Sequence, residues 1–314
     1  MKPPILILTG PTGVGKTETS LQLAKQCCGE IISADSMQVY RQMDIGTAKI
    51  RPDQTQGIPH YMIDEFDPDE EFNVYLFQKK VKEYLSEIYS RGKLPILVGG
   101  TGFYIQAVLY DIAFTDHLTD FSYRRELEDI AAKDGPDELF ARLKEVDPVS
   151  ADCIHKNNIK RVIRALEYYH ETGETMSSHN EEQRKKESPY SFLYAVLTMN
   201  RSVLYERINK RVDSMVSLGL INEVQTLMNR GYHRDLVSMQ GLGYKEIAAA
   251  LDGEITMEEA IYQLKRDTRH FAKRQMTWFK REKEVSFFDK DHYSSTEELV
   301  NAIIEEAGKR GVLP

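Results

Sequence analysis

The sequence predicts an α/β protein: a parallel-sheet core, an inserted, mostly helical domain and a helical C-terminal part. Three observations carry this. Short apolar runs at 4–9, 31–34, 94–100 and 192–200 are separated by segments with helical spacing, the rhythm of a parallel sheet. Between about 115 and 190 the texture turns to charged, helix-patterned segments closed by Gly or Pro. From 202 to 282 the pattern is helical again.

PILILT (4–9) reads as the first strand. The start, MKPPILILTGPTG, carries one basic residue and no cleavage region, so a signal peptide is not expected. After a Gly-rich turn, Leu21, Leu23 and Ala24 mark a helix in KTETSLQLAKQC, and Ile31–Ala34 form the second strand. Leu76, Val81, Leu85 and Ile88 share one face of an amphipathic segment that leads into the strand LPILVGG (94–100). YRRELEDIAAKDG, PDELFARLKEVDP and NNIKRVIRALEYYHETG are expected helices, with SSHNEEQRKKESPY as a solvated return. FLYAVLTMN (192–200) resumes the sheet. The expected division is 1–114 plus 191–314 for the core and 115–190 for the inserted helical domain.

Hydrophobic content of 41% and charged content of 29% describe an ordinary globular chain, and no apolar run is long enough to span a bilayer. Cys27, Cys28 and Cys153 are too few for a disulfide framework and lack metal-ligand spacing, so free thiols in a reducing cytoplasm are expected. A net charge of −8 argues mildly against a nucleic-acid partner, but the average hides a patch. From Leu264 to Arg281 seven residues are Lys or Arg and only Asp267 is acidic, and phosphate contacts need local positive charge.

GPTGVGKT, Gly10 to Thr17, fits G-x-x-x-x-G-K-[ST] between a strand and a helix, which makes the expected core P-loop NTPase-like. Gly13 and Gly15 let backbone N–H groups approach phosphate oxygens at a helix N-terminus, Lys16 supplies a charge, and Thr17 offers a hydroxyl to Mg2+. The plain alternative is a Gly-rich turn without a ligand. An NTPase of this class usually has an apolar strand ending in Asp, yet the 94–98 strand runs into GGTG. Asp35 is the strand-end acid here, followed by Ser36, Gln38 and Tyr40. It could bind metal, accept a proton from an amine or hydroxyl nucleophile, or cap the next helix. Gly99, Gly100 and Gly102 suit a backbone lying close to a ligand, with the Thr101 hydroxyl beside it. Arg266, Arg269, Lys273 and Lys280 fall along one helix face next to a Phe271, Gln275 and Trp278 stripe. Basic rows beside aromatics suit a phosphate backbone with stacked bases; a solvated basic face over a core stripe is the alternative.

GPTGVGKT, SADSMQVY, MDIGTAK, PHYMID, VGGTGFY, KNNIKRVIRALE, QGLGYKE and RQMTWF, in this order over about residues 5–282, resemble the tRNA dimethylallyltransferase (tRNA isopentenyltransferase) family in its bacterial form. The resemblance implies transfer of a dimethylallyl group from dimethylallyl diphosphate to N6 of adenosine 37 in tRNAs that read codons starting with U. It implies diphosphate contacts from Gly10, Thr12, Gly13, Val14, Gly15, Lys16 and Thr17, with Arg207 and Arg211 as further candidates, and Mg2+ held at Thr17. Asp35 becomes general base and base reader, and Thr101 a hydrogen-bond donor near the leaving oxygen. Contacts to the tRNA anticodon stem-loop are implied for Asp35, Ser36, Met37, Gln38, Thr101, Tyr123, Lys160, Arg161, Arg164, Gln240, Gly241, Gly243, Tyr244 and Lys245. Arg269, Lys273, Arg274, Gln275, Trp278 and Lys280 continue that set along the basic helix. No membrane and no obligate protein partner are expected, and the chain is expected to be a cytoplasmic monomer.

Three rivals share parts of this pattern. A small-molecule or nucleotide kinase leaves the basic helix unexplained. An adenylate isopentenyltransferase has less need of the inserted helices. An RNA-binding protein with a relic phosphate loop conflicts with the intact Lys16, Thr17 and Asp35.

Overall fold

Strand β1 (Pro4–Thr9) is buried on both faces, and its apolar residues divide by parity: Ile5 and Ile7 enter one core, Leu6 and Leu8 the other. A central strand of a parallel sheet needs this continuous apolar run. The computed structural model describes residues 2–114 and 122–313. After β1 come α1 (Lys16–Gln26), β2 (Gly29–Ala34), β3 (His60–Tyr61), α2 (Val74–Ser90), β4 (Leu94–Gly99) and α3 (Gly102–Leu109). Then follow α4 (Ser122–Lys133), α5 (Pro136–Val146), α6 (Pro148–Cys153), α7 (Ile159–Thr172) and α8 (Met176–Lys185). The chain continues with β5 (Ser191–Thr198), α9 (Arg201–Ser217), α10 (Leu220–Asn229), α11 (Tyr244–Leu251), α12 (Met257–Phe279), β6 (Val285–Asp289) and α13 (Thr296–Lys309). It divides into two compact units, Met1–Asp111 with Pro189–Pro314, and Ile112–Ser188.

The first unit is built on a six-stranded parallel sheet ordered β3-β2-β4-β1-β5-β6. Helices cover both faces. Phe77, Val81, Leu85 and Ile88 of α2 pack on the face that receives Ile5 and Ile7, together with residues of α3 and of α9 to α12. Leu21, Leu23 and Ala24 of α1 and Leu299, Val300 and Ile303 of α13 cover the other face. Each such fully buried aliphatic side chain contributes about 1.5–3 kcal/mol by leaving water. Register then aligns the ends of three neighbouring strands, with Thr9 of β1 and Ala34 of β2 both opposite Gly99 of β4. The phosphate-type loop after β1, Asp35 after β2 and the Gly100–Thr101 turn after β4 therefore leave the sheet side by side, where open α/β sheets bind their ligands.

In the second unit, Leu127, Leu139, Leu143, Val162 and Leu166 form a core of their own. The Arg124 guanidinium forks onto the buried Glu167 carboxylate, with Nε and Nη2 at 2.7 and 2.8 Å. The expected start of this region at 115 falls within 115–121, outside the described residues.

The structure adds elements that the sequence reading lacked. β3 has two residues, too few for periodicity to register. β6 and α13 lie beyond the basic helix, where no element was expected. Their signals were present: Ser295 accepts the Glu298 N–H as an N-cap ahead of a Leu299, Val300, Ile303, Ala307 stripe. The expected solvated return is helical over Met176–Lys185. Thr175 caps that helix and a Glu181–Lys185 pair spans one turn of it, while none of its residues is buried. A helix without an apolar stripe is invisible to a search for one.

Candidate active site

A cleft of about 570 Å³ opens at the carboxyl ends of β1, β2 and β4. Of the expected residues, Thr12, Gly13, Gly15, Lys16, Thr17, Asp35, Ser36, Met37, Gln38 and Thr101 line it. Arg207, Arg211, Gln240, Gly241, Gly243, Tyr244, Lys245, Arg274 and Gln275 line it too. Asp35 is the only acid among these lining residues, set against Lys16, Arg207, Arg211, Lys245 and Arg274. Such a surplus of cations favours a polyanionic ligand.

The phosphate-type loop turns through left-handed backbone at Gly13 (φ 83°) and Gly15 (φ 98°), the latter immediately before the first turn of α1. Lys16 Nζ donates to Gly10 O (2.8 Å) and Pro11 O (3.0 Å). Desolvation in the cleft wall, reinforced by the Arg211 charge, lowers the Lys16 amine to about 7, with Asp35 acting in the opposite sense. Burial also lowers the pKa of Arg211, and Asp35 again opposes the shift. Both Val14 and Gly10 stand back from the cleft. The Val14 side chain is fully buried in the core and its N–H bonds Pro11 O, while Gly10 offers its carbonyl to Lys16.

Asp35 follows directly on β2. Its Oδ1 accepts the N–H of Met37 (2.9 Å) and of Gln38 (3.4 Å), closing an Asx turn. No helix follows, so the capping alternative falls. Among the described residues no donor reaches Oδ2. The Gln38 amide is turned inward, accepting from Ser33 Oγ (3.0 Å) and donating to Thr47 O (3.3 Å). Thr101 precedes α3 without capping it and lines the cleft.

Gly100 lines the cleft, and the glycines after β4 are also required by the protein's own atoms. A Cβ on Gly100 would lie 2.1 Å from Gln275 Nε2, and one on Gly102 would lie 2.2 Å from the Trp278 ring. Gln275 fits the core-stripe alternative. It is buried, accepts the Thr12 N–H at Oε1 (2.9 Å) and donates from Nε2 to Gly100 O (3.0 Å). Trp278 packs edge-on against Phe103, and among the described residues its buried Nε1 has no partner.

The basic row on α12 does not act as a unit. Arg266 pairs with Asp267, and Arg269 Nη1 donates to Asn209 Oδ1 at 2.6 Å. Lys273 and Trp278 lie outside the main cleft and line a second, shallower hollow with His270, Arg274, Thr277 and Arg281. Lys280 is exposed at the end of α12. Tyr123, Lys160, Arg161 and Arg164 belong to the second unit. There Tyr123 stacks on His170 with centroids 3.9 Å apart, and Lys160 and Arg161 are exposed in the first turn of α7.

Sequence reasoning missed most of the apolar wall of the cleft, formed by Ile208, Val212, Met215, Leu242 and Leu264, with Phe271 of the expected stripe completing it. It also missed Glu223 and Lys290. Lys290 Nζ and Arg207 Nη2 lie 2.8 and 3.6 Å from where a Gly15 Cβ would be, so two cations meet beside the phosphate-type loop.

Two family models cover the chain, one described as IPP transferase over residues 38–282 and one as isopentenyl transferase over residues 3–70. The chain belongs to the IPP transferase family. Its curated relatives carry the same assignment along nearly their whole length. A tRNA dimethylallyltransferase of Lachnoclostridium phytofermentans is 59% identical over 302 residues, 96% of each chain. That of Carboxydothermus hydrogenoformans is 47% identical over 313 residues, covering 100% of both. Among solved structures, the tRNA isopentenylpyrophosphate transferase of Bacillus halodurans matches with a TM-score of 0.74 at 46% identity, over 99% of this chain and 97% of that one. A eukaryotic dimethylallyltransferase acting on tRNA matches with a TM-score of 0.84 at 29% identity, over 98% of this chain and 80% of that one. Family membership excludes the relic and kinase readings as descriptions of the whole chain. Within the IPP transferase fold, no helix among the described residues is long and apolar enough to cross a membrane.

Proposed function

We propose that this chain transfers a dimethylallyl group from dimethylallyl diphosphate to N6 of adenosine 37 of tRNA, with Asp35 as the base. One observation carries the reading: the sole acid among the described lining residues of a cation-rich cleft stands beside the phosphate-type loop, with an apolar wall in the same cleft. Diphosphate matches the cations and the loop N–H groups, and a five-carbon allylic chain matches Ile208, Val212, Met215, Leu264 and Phe271.

In the reaction the allylic C–O bond breaks, diphosphate leaves, a C–N bond forms to N6, and one N6 proton is released. Gly13, Gly15, Lys16, Arg207 and Arg211 hold the diphosphate and oppose the charge that grows on its leaving oxygen. Thr101 Oγ1 donates to the same developing charge. Asp35 keeps Oδ1 in the Asx turn and offers Oδ2 to the amine, orienting it and receiving its proton. The adenine must leave the anticodon stack to reach this carboxylate. Gln240, Gly241 and Lys245 at the cleft rim, and Lys273 and Arg274 on α12, supply contacts for the stem-loop backbone.

Mg2+ fits this site. Thr17 is exposed and lines the cleft at the loop, and Mg2+ characteristically completes its shell with substrate phosphates and water rather than an all-protein cage. When bound, it would neutralise phosphate charge next to Thr17. Incubating the protein with labelled dimethylallyl diphosphate, Mg2+ and either tRNA or AMP tests the assignment. Label in tRNA alone is expected, and label in AMP alone would make the protein an adenylate isopentenyltransferase.

A further inference from the structure

We infer that Glu223, which lies outside the cleft, is a positioning residue for Asp35; the inference rests on Asp35 being the base. Glu223 projects from α10 onto the segment after the Asp35 turn. Its Oε2 accepts the N–H of Asp44 (3.0 Å) and of Ile45 (2.7 Å), and its Oε1 accepts the N–H of Gly46 (3.1 Å). The Tyr244 hydroxyl also donates to Oε1, at 2.7 Å. Three consecutive backbone N–H groups converging on one point form an anion-binding nest, here filled by a carboxylate of the same chain. Bonds of this charge-assisted kind are about twice as strong as neutral ones. Gly46 permits the approach, because a Cβ there would lie 2.5 Å from the Tyr244 ring.

The connection to the site is continuous. The residue after the nest is Thr47, whose carbonyl accepts Gln38 Nε2 (3.3 Å). Gln38 is fixed at its other amide atom by Ser33 Oγ (3.0 Å), and its own N–H reaches Asp35 Oδ1 (3.4 Å). Glu223 thus sets the height of the Thr47 carbonyl, Thr47 sets Gln38, and Gln38 helps decide where Asp35 Oδ2 points. Lys49 secures the far end of the segment through Tyr40 O (2.8 Å), Asp44 Oδ1 (2.7 Å) and Asp64 Oδ1 (2.5 Å). With Lys49 and the Thr47 hydroxyl bond to Met43 O (2.5 Å) intact, loss of the Glu223 charge leaves the segment folded and loosens it at Asp44–Gly46.

The test is a double-mutant cycle on the single-turnover transfer rate at saturating tRNA, using wild type, Glu223→Gln, Gln38→Ala and the pair. Binding of inorganic pyrophosphate is measured in each protein, because it reports a folded phosphate loop that this link does not touch. Glu223→Gln is expected to slow transfer about tenfold with pyrophosphate affinity unchanged, a geometric loss of the kind small misplacements cause. The pair is expected to lose little more than the worse single variant, since both break one link. Losses that multiply, or a wild-type rate in Glu223→Gln, would overturn the inference. If Glu223→Gln binds no pyrophosphate, Glu223→Asp, which keeps the charge at shorter reach, takes its place in the cycle. Asp35→Asn at wild-type rate would instead remove the base assignment on which Glu223 depends.

Discussion

Gln275 joins Thr12 of the phosphate-type loop to Gly100 of the turn after β4, with one amide atom on each backbone group. A side chain on the basic helix therefore sets the distance between the segment proposed to hold diphosphate and the segment that carries Thr101.

Gln275→Leu removes both bonds and leaves two polar backbone groups facing an apolar side chain, at about 1–3 kcal/mol for each group that stays unpaired. Because the two loops are then free to part, kcat/KM for dimethylallyl diphosphate is expected to fall at least tenfold. Steady-state kinetics alongside a thermal melt check this, and an unchanged kcat/KM would reduce Gln275 to a packing residue.

The Lys16 amine, lowered to about 7, gives diphosphate binding a pH dependence. An anion favours the charged amine, so its pKa rises in the complex. The contribution of Lys16 is then fully present below 7 and declines as pH rises through 7 and above, where binding must take up a proton. Pyrophosphate dissociation constants of wild type and Lys16→Met, measured from pH 6 to 9, isolate this from titration of the ligand. Their ratio is expected to shrink steadily above pH 7; a constant ratio would contradict the shift.

Glu282, just past α12, is raised to about 7 by burial alone. It interacts with Tyr110 and Tyr194, whose buried hydroxyls have no partner among the described residues. A carboxyl whose folded pKa exceeds its unfolded value stabilises the fold at low pH and loses that contribution as pH rises through about 7. The melting temperature of Glu282→Gln relative to wild type is therefore expected to increase between pH 5 and pH 8. A flat difference would show that Glu282 is solvated.

On α12, the engagement of Arg269 with Asn209 shifts the expected phosphate contacts toward Lys273 and Arg274. Replacing these two with Ala should reduce the slope of log affinity for tRNA against log salt by about 1–2, since each lost phosphate contact removes roughly 0.7–0.9. Filter binding across a salt series checks it, and an unchanged slope would make this a solvated face.

The sheet core was legible because each long strand is a continuous apolar run bounded by turn signals, as in Pro4–Thr9 and Leu94–Gly99. The loop after β1 was legible because its glycines and Lys16 have one common use. What the sequence hid was pairing at a distance. Nothing local in Gln275 says that its amide bridges Thr12 and Gly100, or that Gln38 turns inward to Ser33 and Thr47 rather than outward. Glu223 reads as an ordinary helix-surface acid until the fold brings Asp44, Ile45 and Gly46 onto it. Spacing also overstated the basic row on α12, because Asp267 and Asn209 engage two of its members.

The central claim is that Asp35 takes the proton of the adenosine amine. Asp35→Asn isolates that role, since the amide oxygen can still accept the Met37 N–H and keep the turn while the base is lost. The decisive measurement is the single-turnover rate of dimethylallyl transfer to saturating tRNA in this variant, with pyrophosphate and tRNA binding measured alongside. A rate at least about 100-fold below wild type with both affinities intact is expected for loss of a general base. A rate within a few-fold of wild type would contradict the account.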